Sequence, residues 1–202
     1  MNTDNVELMK LSRKSLEGKW GLAIGTFLVY ELIIAGIQQT SEHYPLSSLI
    51  MLFIAGPLAV GISVFSLKIS RNEEARFEQI FEGFYNLKNS VIAYLLVVLF
   101  VILWTLLLII PGIIAAISYS MTFYIIAEDE NIQPMEAIDK SKKMMDGYKS
   151  KYFFLGLRLF GLALLCILTL GIGFLWLIPY AHVTTAKFYD DIKGNTVSVS
   201  GF

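Results

Sequence analysis

The sequence predicts an all-α membrane protein with six transmembrane helices, paired as three helical hairpins, each preceded by a cytoplasmic amphipathic helix. Three observations carry this. Of 202 residues, 55% are hydrophobic and only 16% are charged, against about 25% charged in an ordinary soluble domain. The apolar residues gather in long uncharged blocks, the longest being the 37 residues from Val91 to Ala127. The basic residues cluster in alternate connections between these blocks. This pattern excludes an ordinary soluble fold, a disordered chain, a disulfide scaffold and a basic nucleic-acid binder.

A helix needs roughly 20 apolar residues to cross a bilayer. Trp20 to Gln38 and Leu46 to Leu67 are the first two candidates, separated by the polar segment Gln39 to Pro45. The polar, basic start and the lack of an Ala-x-Ala-like site make the first block a true span rather than a cleaved signal. The block from Val91 to Ala127 is about twice too long for one crossing. Pro111-Gly112 stands in its middle, so it divides into spans of 91–110 and 112–127. The last block divides in the same way at Gly171 and Gly173, into 152–169 and 172–189.

Fifteen of the 16 basic residues then fall on one side, Arg158 being the exception. The positive-inside rule places that side and both termini in the cytoplasm. The expected arrangement is a multi-pass membrane protein, as a single polytopic domain over residues 1–202. Pseudo-repeats are expected at 6–70, 73–129 and 134–191. Each opens with an amphipathic stretch ending in an acid-glycine pair (Glu17-Gly18, Glu82-Gly83, Asp146-Gly147). A span, a Gly/Pro break (Gly56-Pro57, Pro111-Gly112, Gly171 with Gly173) and a second span follow. Within the second amphipathic stretch, Phe77, Ile80, Phe81, Phe84 and Tyr85 recur at helical spacing. Met135, Ile138, Met145 and Tyr148 do so in the third, after Pro134. These stretches are expected in the headgroup plane, where their basic residues favour an anionic inner leaflet.

Few residues carry chemistry. No metal-ligand spacing, phosphate loop or nucleophile elbow is present, so no enzyme, metal or cofactor is expected. The single cysteine, Cys166, reads as a small hydrophobe. The acids Glu128 to Glu130 and Asp190-Asp191 read as solvated helix ends in preference to a cation site. Glu31 and Arg158 are charges inside spans one and five at similar depth, which makes them candidates for an ion pair or a shared polar cavity, with His182 extending it. Against this stand a snorkelling Arg158 and a Glu31 at the outer interface. Hydroxyls such as Thr105, Ser118, Ser120 and Thr122 extend the cavity or bond back to their own helices. Gly21 and Gly25, spaced as Gly-x-x-x-Gly, are expected to pack helices closely.

The stretch from Ile110 to Asp129 (IPGIIAAISYSMTFYIIAED) resembles a bacterial integral membrane family known as domain of unknown function 975. The segments Glu136 to Gly147 (EAIDKSKKMMDG) and Leu170 to Tyr180 (LGIGFLWLIPY) are similar to its recurring blocks. The family is distantly similar to the membrane domain of some glycerophosphodiester phosphodiesterases, a domain that is not the catalytic one. The resemblance implies a six-span protein of the bacterial cytoplasmic membrane without an assigned activity. The expected function is a non-enzymatic accessory or scaffold that binds membrane lipids or another membrane protein, and no nucleic acid. The alternative is a small transporter or lipid-moving protein using the polar site around Glu31 and Arg158.

Overall fold

The computed structural model describes residues 3–41 and 47–199, and every regular element among them is helical. The elements are α1 (Asn5–Leu16), α2 (Trp20–Ser41), α3 (Ser47–Ser70), a 3-10 helix (Phe77–Phe84), α4 (Leu87–Leu107), α5 (Ile109–Tyr119), α6 (Thr122–Glu128), α7 (Pro134–Met144), α8 (Lys149–Leu168) and α9 (Phe174–Val199). Residues 42–46 of the connection between α2 and α3, including His43 and Tyr44, lie outside the described residues.

Five stretches are long and apolar enough to cross a membrane: Trp20–Gln39, Met51–Ser70, Leu87–Leu107, Ile109–Glu128 and Lys149–Leu168. The predicted sixth span is not among them. It forms the first part of α9, where His182, Lys187, Asp190 and Asp191 dilute the apolar character. Large apolar side chains on the outside of these helices, such as Leu106, Leu107 and Leu168, are two-thirds exposed or more. Apolar surface on this scale marks a lipid-facing protein.

Helix α3 is the central one. Two-thirds (67%) of its candidate span is buried, against 6% for that of α8. It packs against α2, α4, α6, α9 and the 3-10 helix. No break occurs at Gly56-Pro57, contrary to the sequence reading: α3 runs through Pro57 without interruption. Pro57 and its glycines serve contact instead. A Cβ on Gly61 would lie 1.9 Å from the Ile80 carbonyl oxygen, and one on Gly83 would lie 2.0 Å from that of Pro57. Backbone therefore meets backbone, and the 3-10 helix is wedged onto α3 with Ile80 wholly buried. The predicted amphipathic face is correspondingly divided. Ile80 faces the core while Phe81, Phe84 and Tyr85 stay exposed.

The long apolar block does divide, but three residues before the expected place. Leu108 is the extended residue between α4 and α5 (φ −162°, ψ 146°). Pro111 stands in the first turn of α5, where its missing N–H leaves no donor unpaired. Gly112 takes the packing role: its Cβ position is 2.2 Å from the Thr105 hydroxyl oxygen. Farther along, Phe100 meets Tyr119 at 6.0 Å, so α4 and α5 lie side by side. The expected continuous helix 112–127 is broken at Ser120-Met121. Ser141 of α7 enters the break, donating to the Ser118 carbonyl (2.8 Å) and accepting from the Met121 N–H (3.2 Å). A side chain inserted into the ladder is a standard cause of such a kink.

Gly18 and Gly147, which join α1 to α2 and α7 to α8, have φ of +76° and +78°. This left-handed backbone is open to glycine without penalty. Gly83, the third glycine of the expected repeat, lies inside the 3-10 helix and turns nothing. Helix α1 crosses the ends of three helices. At one end the Thr3 hydroxyl donates to Asp191 (2.5 Å) and the Asn5 amide to the Lys151 carbonyl (2.9 Å). At the other, the Ser15 hydroxyl donates to the Ser70 carbonyl (3.2 Å).

Candidate functional site

The ends of α3 and α6 meet the charged second half of α9 in one cluster. The Arg71 guanidinium bonds both Glu128 and Asp190, the latter at 2.7 Å. Glu128 also accepts from the Tyr189 hydroxyl and from Lys193, each at 2.6 Å. Asp190 accepts from the Ser70 hydroxyl at 3.0 Å, and Lys187 donates to the Ser70 carbonyl. The hydrogen bond to Asp190, against partial burial and with help from Glu128, raises the Arg71 pKa and holds it charged. The acids expected as solvated helix ends are thus the centre of a network. The signal was present in the repeat. Arg71 stands just past α3 and Glu128 ends α6, while Asp190 lies within α9, just past the predicted sixth span, with complementary charges.

The predicted intramembrane pair is not formed. Among the described residues no ion pair joins Glu31 to Arg158. Glu31 is exposed on α2 and lines a pocket against α9 with Phe27, Phe174 and Ile178. Arg158 is exposed on α8 and faces α1. The two pockets share no residue. Depth alone brings these residues together in the sequence reading, while α2 and α8 each pack on α9 rather than on one another. His182 goes with neither charge: its ring stacks on Phe27, 4.8 Å between centroids. The hydroxyls of Thr105, Ser118 and Ser120 bond back to their own helices. That of Thr122 is buried without a protein partner.

Gly21 and Gly25 pack against nothing, for a Cβ on either would meet no atom within 4 Å. Their helix face is open, and small residues permit close approach without causing it. Gly171 closes the turn between α8 and α9 at φ +86°. Gly173 abuts Cys166, whose Sγ is 2.7 Å from its Cβ position.

A concave surface that the sequence left unseen lies between α8 and α9. It holds about 760 Å³ and is open rather than enclosed. Its walls are Leu162 and Leu165 of α8 and Trp176 and Leu177 of α9. Thr169 and Gly173 close one end, and Met9, Arg13 and Trp20 the other. A second space of about 410 Å³ continues from it, sharing Met9, Arg13, Leu162 and Tyr180 and adding Lys10 and Arg158. The Tyr180 hydroxyl donates to the Met9 carbonyl (3.0 Å), which fixes α1 beneath the groove. The volume is that of a small-molecule site, roughly 300–1,000 Å³. Among the described residues no group of His, Cys, Asp or Glu is placed to hold a metal ion.

A family model described as a protein of unknown function (DUF975) matches residues 1–118 and 105–196. No curated protein and no solved structure matches the chain.

Proposed function

The chain belongs to the DUF975 family, and from that premise we propose that it is a non-enzymatic accessory protein of the bacterial cytoplasmic membrane whose task is to bind membrane lipid. In this reading α9 supplies a sixth span, its charged end standing at the inner interface beside Arg71 and Glu128. Both termini are cytoplasmic. The one-sided distribution of basic residues supports this, because it requires an even number of crossings. Helices α1 and α7 and the 3-10 helix lie at the cytoplasmic base of three hairpins.

One observation carries the lipid reading: the groove between α8 and α9 is apolar along its walls, open rather than enclosed, set between two exposed apolar helix faces, and floored by α1. A pocket for a water-borne substrate would open toward water and hold convergent polar groups. The transporter alternative needed Glu31 and Arg158 in a common cavity, and they line separate ones.

The test is lipid retention. The protein is extracted in mild detergent, washed extensively and analysed by native mass spectrometry. At least one phospholipid should stay bound per chain, and Leu165→Trp, which fills the groove from an exposed wall position, should release it. A wild-type protein stripped bare by the same wash would end the proposal.

A further inference from the structure

The groove has a chemically distinct end, and its charges have no internal use. Lys10, Arg13 and Arg158 line one space of about 410 Å³, although they come from α1 and from α8. Among the described residues neither Arg13 nor Arg158 takes part in an ion pair, and Lys10 touches only Glu7, at 3.7 Å, on an exposed face. Arg158 has Asp4 and the Asp191-paired Lys151 on its other side, in an adjoining pocket. Other basic residues close by are engaged: Lys151 with Asp191, Lys193 with Glu128 and Arg71 with both Glu128 and Asp190. Three cations facing one space repel one another and are stabilised by an anion placed among them.

The geometry points to an anionic phospholipid of the inner leaflet as the occupant. Its phosphate sits among Arg13, Arg158 and Lys10, and one acyl chain lies along α8 and α9 toward Gly173. This rests on the lipid-binding reading above and names the class of lipid. Two features of the groove require a lipid rather than a free anion. The cationic space adjoins the apolar one, and Met9, Arg13, Leu162 and Tyr180 line both. The apolar part extends from Tyr180 to Gly173 on α9, about 10 Å at the helical rise, which is a path for a chain and no use to an ion. Guanidinium groups suit a phosphate because their fixed fork of donors matches its oxygens. Arg158 thereby has a reason to stand in a lipid-facing helix, with its side chain drawn toward the headgroup level.

The test compares headgroups on the whole protein in detergent. Thermal unfolding is followed with dioctanoyl phosphatidylglycerol, with dioctanoyl phosphatidylcholine and with inorganic phosphate. Phosphatidylglycerol should protect at clearly lower concentration than phosphatidylcholine, and phosphate alone should not protect. Near a membrane surface each Lys or Arg contributes about 1 kcal/mol, so its loss weakens binding roughly fivefold. Arg13→Ala with Arg158→Ala should therefore weaken phosphatidylglycerol binding roughly 25-fold and weaken that of phosphatidylcholine, whose phosphate is offset by its own ammonium, much less. Both side chains are exposed and outside any ion pair, so the variant should melt like the wild type without lipid. Equal protection by the two lipids would overturn the headgroup assignment while leaving a lipid groove. Protection by phosphate alone, equal to that by phosphatidylglycerol, would make the site an anion site and overturn the assignment too. Protection by neither lipid would remove the groove reading itself.

Discussion

Replacing Gly61 by alanine should destabilise the protein far more than the same change at Gly25, although both are glycines inside apolar helices. At Gly61 the new methyl would stand 1.9 Å from the Ile80 carbonyl oxygen, about 1.5 Å short of an ordinary contact. The neighbour is backbone and has no rotamer to turn away, so the 3-10 helix must lift off α3 as a body. Overpacking of this kind costs about 1–3 kcal/mol, more where the surroundings are rigid. Gly25 has open space on that side. There alanine brings only its better helix propensity, about 1 kcal/mol. The propensity gain is common to both helices, so the two variants should differ by the overpacking cost, about 1–3 kcal/mol, or about 2–12 °C in melting temperature for a chain of this size. Gly83→Ala should resemble Gly61→Ala, because its Cβ would meet the Pro57 carbonyl from the opposite side. Once one change has lifted the 3-10 helix, the second has less to break, so the double variant should lose less than the sum. The assay is thermal unfolding in detergent followed by circular dichroism. If Gly61→Ala and Gly25→Ala melted together, the close apposition of the 3-10 helix and α3 would be refuted.

The Glu31→Gln and Arg158→Leu changes should add within about 0.3–0.5 kcal/mol in a double-mutant cycle, because the residues share no pocket; a larger coupling would mean that they meet. Ser141→Ala should cost about 1–3 kcal/mol by leaving the Met121 N–H and the Ser118 carbonyl unpaired at the helix break, read as a fall in melting temperature. Asp190→Asn should loosen the charged end, at about 1–3 kcal/mol, with faster amide exchange at the ends of α3 and α9; unchanged exchange there would make the cluster ornamental. For topology, with Cys166 replaced, a cysteine at exposed Leu170 should react with an impermeant thiol reagent on intact cells, and one at exposed Lys142 only after lysis. Labelling of position 142 on intact cells would overturn the orientation.

Features set by local chemistry were legible in the sequence. Gly171 and Gly18 mark turns because their backbone conformation is left-handed. Pro111 announced the division of the long block, though it stands in the first turn of α5 and not at the tip. Features set by a distant partner were hidden. The break at Ser120-Met121 depends on the Ser141 hydroxyl, some 20 residues away. Gly21 and Gly25 had the spacing of a packing motif but no neighbour, whereas Gly56 and Gly61 had the neighbour without that spacing. The candidate site divided in the same way. Arg158 was recognised as an oddity, since a charge in an apolar helix needs a reason. Its companions Lys10 and Arg13 looked like ordinary interfacial charges, because nothing in the chain order places α1 against α8.

The cluster of Arg71, Glu128 and Asp190 draws its members from three well-separated stretches of the chain, so it has a history as well as a geometry. A ribosome delivers Arg71 first and Glu128 some 57 residues later, and these two can pair at once. Asp190, Tyr189 and Lys193 arrive only with the last helix. Until then Glu128 lacks two of its donors and the Ser70 hydroxyl lacks its carboxylate acceptor. Closure of the cluster therefore reports that α9 has been made and has packed against α3 and α6. A chain halted before α9 leaves the Glu128 carboxylate and the Ser70 hydroxyl as an unfinished polar surface.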